Sequence, residues 1–239
     1  YKAPNFKILK SISKLNASIV NMETLVEHDE NVFINNLILV DNFLVLEIRE
    51  KGLPELSIYN LTTKKRKNII FNDNAYDVSF AYNKELNGSN FYYSYSSLTT
   101  PPSIINYDLI KSESKVLWEK ELVGFDKSNY KDQRFFINAR DGIEVPVITI
   151  AHSSTDLNNA PILFYGYGSY GINIDASFRS SLIPLLDKGF VFSIINIRGG
   201  GEMGKHWYED GRMLNKLNTF NDFNDGVKEV LKKGIGDPN

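Results

Sequence analysis

Through the first half of the chain, β-branched and aromatic residues come in short runs broken by clusters of Asn, Gly, Asp and Lys, the pattern of antiparallel strands joined by turns. Four strands are predicted at Phe33–Val40, Phe43–Arg49, Glu55–Asn60 and Asn68–Phe71. Four more follow at Tyr76–Tyr82, Asn90–Tyr95, Ile104–Leu109 and Lys115–Glu119. The two groups start about 43 residues apart, the period of a four-stranded propeller blade, although any meandering all-β domain can show a similar spacing.

Near Tyr130 the pattern changes. Gln133–Ala139 and Val145–Ala151 read as a hairpin about Arg140-Asp141-Gly142, Asp-Gly being a strong hairpin signal. Pro161–Tyr165 reads as a short buried strand, and Gly189–Ile197 as an apolar run of parallel-sheet type. Phe178–Asp187 has apolar residues at helical spacing. Thr219–Lys233 reads as an amphipathic helix with Phe220, Phe223, Val227, Val230 and Leu231 on one face and Gly234 as its stop. Strands alternating with helices indicate an α/β layer, so a domain boundary is expected near residue 130, separating 1–130 from 131–239.

Composition narrows the function classes. A hydrophobic content of 42% with 13% aromatics fills a core, and 27 basic against 29 acidic side chains give a net charge of −2, with no long-range pull toward nucleic acid or anionic membrane. The chain has no cysteine, which removes disulfides, thiolate metal sites and a Cys nucleophile, and is compatible with a reducing cytosol. The stretch from Tyr1 to Lys14 lacks the apolar core of a secretory signal, starts without Met and reads as cut from something longer. His28, His152 and His206 lie in polar contexts without helical metal-pair spacing, so no metal is expected. Asn16, Asn60 and Asn87 begin Asn-x-Ser/Thr triplets that mean little without a secretory signal.

Two glycine runs carry the candidate chemistry. Tyr165–Gly171 follows a buried strand, placing a tight loop at the strand edge where open α/β sheets bind ligands; an ordinary Gly/Tyr loop has the same composition. Within it Ser169 comes one residue short of a G-x-S-x-G nucleophile elbow. Tyr167 stands at the first Gly position and Gly171-Ile172-Asn173 continues as loop where an elbow starts a helix, so Ser169 is not expected to be the nucleophile. The second run, Arg198 to His206, matches both G-x-G-x-x-G and the start of a P-loop. His206 occupies the position where Mg²⁺ needs a hydroxyl, no acidic strand end follows about 20 residues on, and Glu202 would repel a pyrophosphate. A nucleotide-binding α/β domain is therefore the weaker alternative, and no cofactor is expected.

Five ordered motifs carry a resemblance: Tyr93–Pro101, Ala139–Val147, Tyr165–Gly171 with Ile174-Asp175, Asn196–Glu202 with Trp207–Gly211, and Asn218–Phe223. Together they resemble the oligopeptidase B branch of the prolyl oligopeptidase family of serine peptidases. The resemblance implies the last blades of a seven-bladed β-propeller followed by the first part of an α/β-hydrolase domain, cytoplasmic, acting on short peptides, after Lys or Arg. By motif position Tyr167 would be the oxyanion-hole tyrosine. Asp175 would be one of two acids that help accept basic substrate side chains; Ser177 stands where the second is usual. The Ser, Asp and His of the triad would lie past Asn239, so the chain alone is expected to be inactive, with a complementing C-terminal half as a candidate partner. A non-catalytic remnant of a split or decayed peptidase gene is the other expectation.

Overall fold

A computed structural model describes residues 2–11, 22–83 and 88–238. Asn16 and Asn87 lie outside the described residues, as do three residues of the Tyr1 to Lys14 stretch beyond its first.

The first group of strands forms an antiparallel meander in the order β3 (Val32–Val40), β4 (Phe43–Glu50), β5 (Leu53–Asn60), β6 (Arg66–Asn68). The second repeats it with β7 (Tyr76–Phe80), β8 (Asn90–Ser97), β9 (Ser103–Asp108) and β10 (Glu113–Glu119). A short antiparallel pair, β1 (Ile8–Lys10) and β2 (Glu23–Val26), precedes them.

Alternation along β4 explains how the sheets stack. Its odd-numbered Val45 joins Leu56, Ile58, Tyr76, Val78 and Phe91 in a core shared by both meanders. Its even-numbered Leu44, Leu46 and Ile48 pack with Val32 and Ile34, against Ile8 and Val26 of the short pair. A sheet buried on both faces between neighbouring sheets is the packing of propeller blades, and the two four-stranded groups behave as the 43-residue period predicts.

The fourth strand was expected at Asn68–Phe71 but spans Arg66–Asn68. Phe71 leaves the ladder to pack its ring on Tyr76, at 4.7 Å between centroids, and on Tyr95, at 5.1 Å.

The third sheet runs β11 (Tyr130–Asn138), β12 (Glu144–His152), β14 (Val191–Ile195), β13 (Ile162–Tyr165). The hairpin turns at Arg140-Asp141-Gly142 as read from sequence, Asn138 pairing with Glu144. β12 meets β14 antiparallel, while β13 and β14 are parallel, so their C-terminal ends lie at one edge of the sheet.

The helix expected over Phe178–Asp187 shrinks to a 3₁₀ turn and α1 (Ile183–Leu186). Arg179 is extended, Pro184 occupies the first turn, and Phe178 is held edge-on to Phe125 at 5.1 Å, which keeps the segment's start out of the helix. A short α2 (Lys205–Glu209) emerges inside the second glycine run, and α3 (Lys216–Lys232) closes the layer. Phe220, placed on the apolar face from sequence, is 59% exposed. Of its polar positions, α3 instead buries Thr219, Asp222 and Asp225.

Candidate active site

Both glycine runs leave the C-terminal ends of the parallel pair, residues 166–171 after β13 and 198–204 after β14. They touch backbone to backbone. Gly199, at φ +100°, sits where an added Cβ would come within 2.1 Å of the Gly168 carbonyl oxygen. Gly168, at φ +60°, would bring one within 2.5 Å of Thr219 and 2.6 Å of Ile197. The Gly171 N–H donates to the Gly199 carbonyl at 3.0 Å. The space a pyrophosphate would need over the second run is filled by the first, which removes the geometric basis for a P-loop or dinucleotide reading.

The polar face of α3 holds this pair of loops from below, one side chain per turn. The Lys216 ammonium donates to the Gly168 carbonyl at 2.5 Å and to the Ser169 hydroxyl at 2.8 Å. The single Thr219 O–H is shared between the carbonyls of Arg198, at 2.7 Å, and Gly211, at 3.0 Å. Fully buried Asp222 accepts from the Arg198 backbone N–H, Nε and Nη2 at 2.9, 2.8 and 2.6 Å. These hydrogen bonds, joined by one to Asp141, raise the Arg198 pKa despite burial. Asp225 repeats the arrangement on Arg140, whose side chain and N–H it accepts at 2.8–2.9 Å, and is itself lowered in pKa by that bonding. The apolar reading of the helix missed this face. Its signal was the three-residue step Lys216, Thr219, Asp222, Asp225.

The loop so fixed leaves Tyr167 41% exposed beside a buried Gly168. Ser169 is half-buried and followed by a turn, with Tyr170 and Gly171 at positive φ and the Ile172 N–H returned to the Ser169 carbonyl at 3.1 Å. No helix starts there, in keeping with the sequence argument against an elbow.

Asp175 lies further along the same loop, 20% exposed, and both its oxygens take hydrogen bonds from Arg49 Nη2 of β4. Glu202, read from sequence only as a repellent for phosphate, is 2% exposed, accepting from the Ile174 N–H at 2.9 Å and the Asn196 amide at 3.3 Å. Burial pushes its pKa up to about 7, against the pull of the Ile174 N–H, of its own backbone N–H and of the Arg49 charge. A cavity of about 310 Å³ opens between Phe33 and Asn35 of β3, Tyr170 and Asn173 of the tyrosine loop, and Lys205 and Tyr208 of α2. No cluster of three metal-ligating side chains occurs among the described residues.

Residues 1–120 match the model of the prolyl oligopeptidase N-terminal beta-propeller domain, and residues 176–239 that of the prolyl oligopeptidase family. The chain belongs to the prolyl oligopeptidase family. Among family relatives, it is 33% identical to dipeptidyl aminopeptidase BI of Pseudoxanthomonas mexicana, over 97% of this chain and 32% of that protein. It is 31% identical to Protease 2 of Moraxella lacunata, over 99% and 34%. Oligopeptidase B from Trypanosoma brucei, solved in a closed form with covalently bound antipain, superposes with a TM-score of 0.83 at 33% identity, covering 90% of this chain and 32% of that one. The fold is thus a propeller portion followed by the start of the peptidase domain, and the chain spans about a third of the length of these family relatives. No helix among the described residues is long and apolar enough to cross a membrane.

Proposed function

We propose that this chain is part of a serine oligopeptidase of the oligopeptidase B type, with residues 1–130 as its propeller portion and 131–239 as the first part of its catalytic domain. The substrates are short peptides cleaved after Lys or Arg, in the cytoplasm. Tyr167 supplies the oxyanion donor: its phenol O–H donates to the charge that develops on the scissile carbonyl oxygen. The observation that carries this reading is an exposed tyrosine on a loop made rigid by the Gly168–Gly199 contact and by Lys216, at the sheet edge where α/β folds bind ligands. A donor held this way needs no reorganisation as charge develops, which is what gives such groups their effect.

The nucleophile, acid and base come from polypeptide outside these 239 residues. Without them no group takes the serine proton and no alkoxide forms, so the chain alone performs no turnover. Combining the chain with the triad-bearing remainder of the peptidase domain is expected to restore hydrolysis of an Arg- or Lys-containing peptide, and Tyr167→Phe to lower kcat by roughly 10²–10³-fold at little change in KM. Unchanged kcat in the variant would remove the oxyanion role. A fluorophosphonate probe should leave Ser169 of the isolated chain unlabelled, and labelling there would make Ser169 a nucleophile and overturn the oxyanion-loop assignment.

A further inference from the structure

We infer that Arg49 of the propeller portion occupies Asp175 as a built-in basic partner, so that Asp175 ties the two domains together and is not a free acceptor for basic substrate side chains. The inference rests on the proposed peptidase function and changes what that function implies for specificity.

The pair is set by the fold on both sides. Arg49 stands at the end of β4, on the face it shares with Val45 and Glu47, and its side chain is 2% exposed. The turn that follows is pinned to the catalytic portion: a Cβ on Gly52 would lie 3.2 Å from Pro146 and 3.3 Å from Met203, and Arg134 donates to the Lys51 carbonyl. Arg49 is therefore delivered to the domain junction by backbone anchored there, not by the reach of a loose side chain. On the other side, Ile174 next to Asp175 is held by its N–H to Glu202 and by its carbonyl to the Asn196 amide, both at 2.9 Å.

Charge balance favours the pair staying closed. Arg49 lies among three acidic side chains drawn from separate elements, Asp175 of the tyrosine loop, Asp77 of β7 and Glu202 of the second glycine run, and its charge favours the ionised form of Asp77 and Glu202. Its Nε and Nη1 are buried without a hydrogen-bond partner, so the guanidinium has capacity left over and Asp175 takes its strongest contact. A substrate ammonium or guanidinium would meet an Asp175 whose two oxygens already accept from Arg49, and drawing the carboxylate away would leave Arg49 buried beside fewer acceptors. Selectivity near the scissile bond should then be indifferent to a second basic residue, with Ser177 standing where a second acid is usual.

Two measurements test this, one of which needs no catalysis. In the peptidase containing this chain, thermal midpoints of Arg49→Met, Asp175→Asn and the double variant form a cycle. Each single change should lower the midpoint, and the double should lie no lower than Arg49→Met; additive shifts would overturn the tie. Should Arg49→Met fail to fold, Arg49→Lys serves, with a smaller loss in the same direction. In the active peptidase containing this chain, peptides with a fixed Arg at the monitored bond and either a second Arg or a Gln at each flanking position report selectivity when only the products of that bond are counted. The parent should show a kcat/KM ratio near one, Arg49→Met a preference for the second Arg of about tenfold or more at one position, and the double variant a ratio near one again. A tenfold preference already present in the parent and lost in Asp175→Asn would overturn the inference. Loss of turnover in Tyr167→Phe tests the peptidase reading separately, and the stability cycle judges the tie whether or not that reading holds.

Discussion

Lys216, the first residue of α3, places its ammonium 2.8 Å from the Ser169 hydroxyl and 2.5 Å from the Gly168 carbonyl, so the helix grips the peptide that follows Tyr167. Burial lowers the pKa of this lysine, and its hydrogen bonds run to uncharged oxygens. Lys216→Met should free the loop at a local cost of about 1–2 kcal/mol, given that the ammonium is only half-buried. Amide exchange at Gly171 would then accelerate roughly 5–30-fold while the amides of β12 stay unchanged. Equal exchange in parent and variant would show that the glycine contacts alone fix the loop.

The Arg198–Asp222 pair predicts a larger effect. Asp222 is fully buried and takes three hydrogen bonds from one residue, so Asp222→Ala leaves a buried guanidinium with only Asp141, itself 42% exposed. Removing one partner of such a pair costs about 3–5 kcal/mol. Urea unfolding should show a lower midpoint at unchanged slope. A loss under about 1 kcal/mol would mean that Asp141 alone satisfies the charge.

Legibility in the sequence follows the range of the interaction. Strands such as Phe43–Glu50 and the Arg140-Asp141-Gly142 turn were legible because alternation and turn chemistry act between near neighbours. Tyr167 and Asp175 are singled out only by ordered motifs, since nothing in the local pattern marks either. Arg49 could not be connected to Asp175, a partner 126 positions away, from either segment alone. α2 hid inside a glycine run, and Phe71 and Phe178 left their expected elements for ring contacts made across the fold. The buried polar face of α3 is present in the spacing, but apolar periodicity does not reveal it, because its burial depends on hydrogen bonds to distant loops.

Gly199 offers a steric test of the contact between the two loops. An alanine there would meet a backbone carbonyl at 2.1 Å and would also have to adopt φ +100°. Backbone cannot rotate away as a side chain can, so Gly199→Ala should cost about 2–4 kcal/mol. Gly142→Ala is the matched control: it too has positive φ, at +84°, but nothing within 4 Å of its added Cβ, so only the backbone cost of about 1 kcal/mol is expected. Equal denaturation midpoints for the two variants would show that the loops part easily.

Glu202 makes stability depend on pH in a stated direction. Its pKa is about 7 in the fold against an ordinary 4.5, so the folded protein holds a proton that the unfolded chain releases between those values. The penalty for ionising it is absent below pH 4.5, grows as pH rises through the window and is complete above 7, where it amounts to about 3 kcal/mol. Burial raises Glu47, Glu55, Asp77 and Asp132 in the same sense, whereas hydrogen bonding lowers Asp108, Asp126 and Asp225, so the slope of the parent alone would not isolate one group. The difference between parent and Glu202→Gln does. The amide oxygen can keep the bonds from Ile174 and Asn196, while the amide N–H₂ takes the place of the unpartnered Oε2 beside Gly200. Thermal midpoints of the two proteins should nearly coincide at pH 5, and the variant should be the more stable at pH 8. A gap of the same size at both pH values would mean that Glu202 is ionised throughout, held by the nearby Arg49 charge in place of a proton.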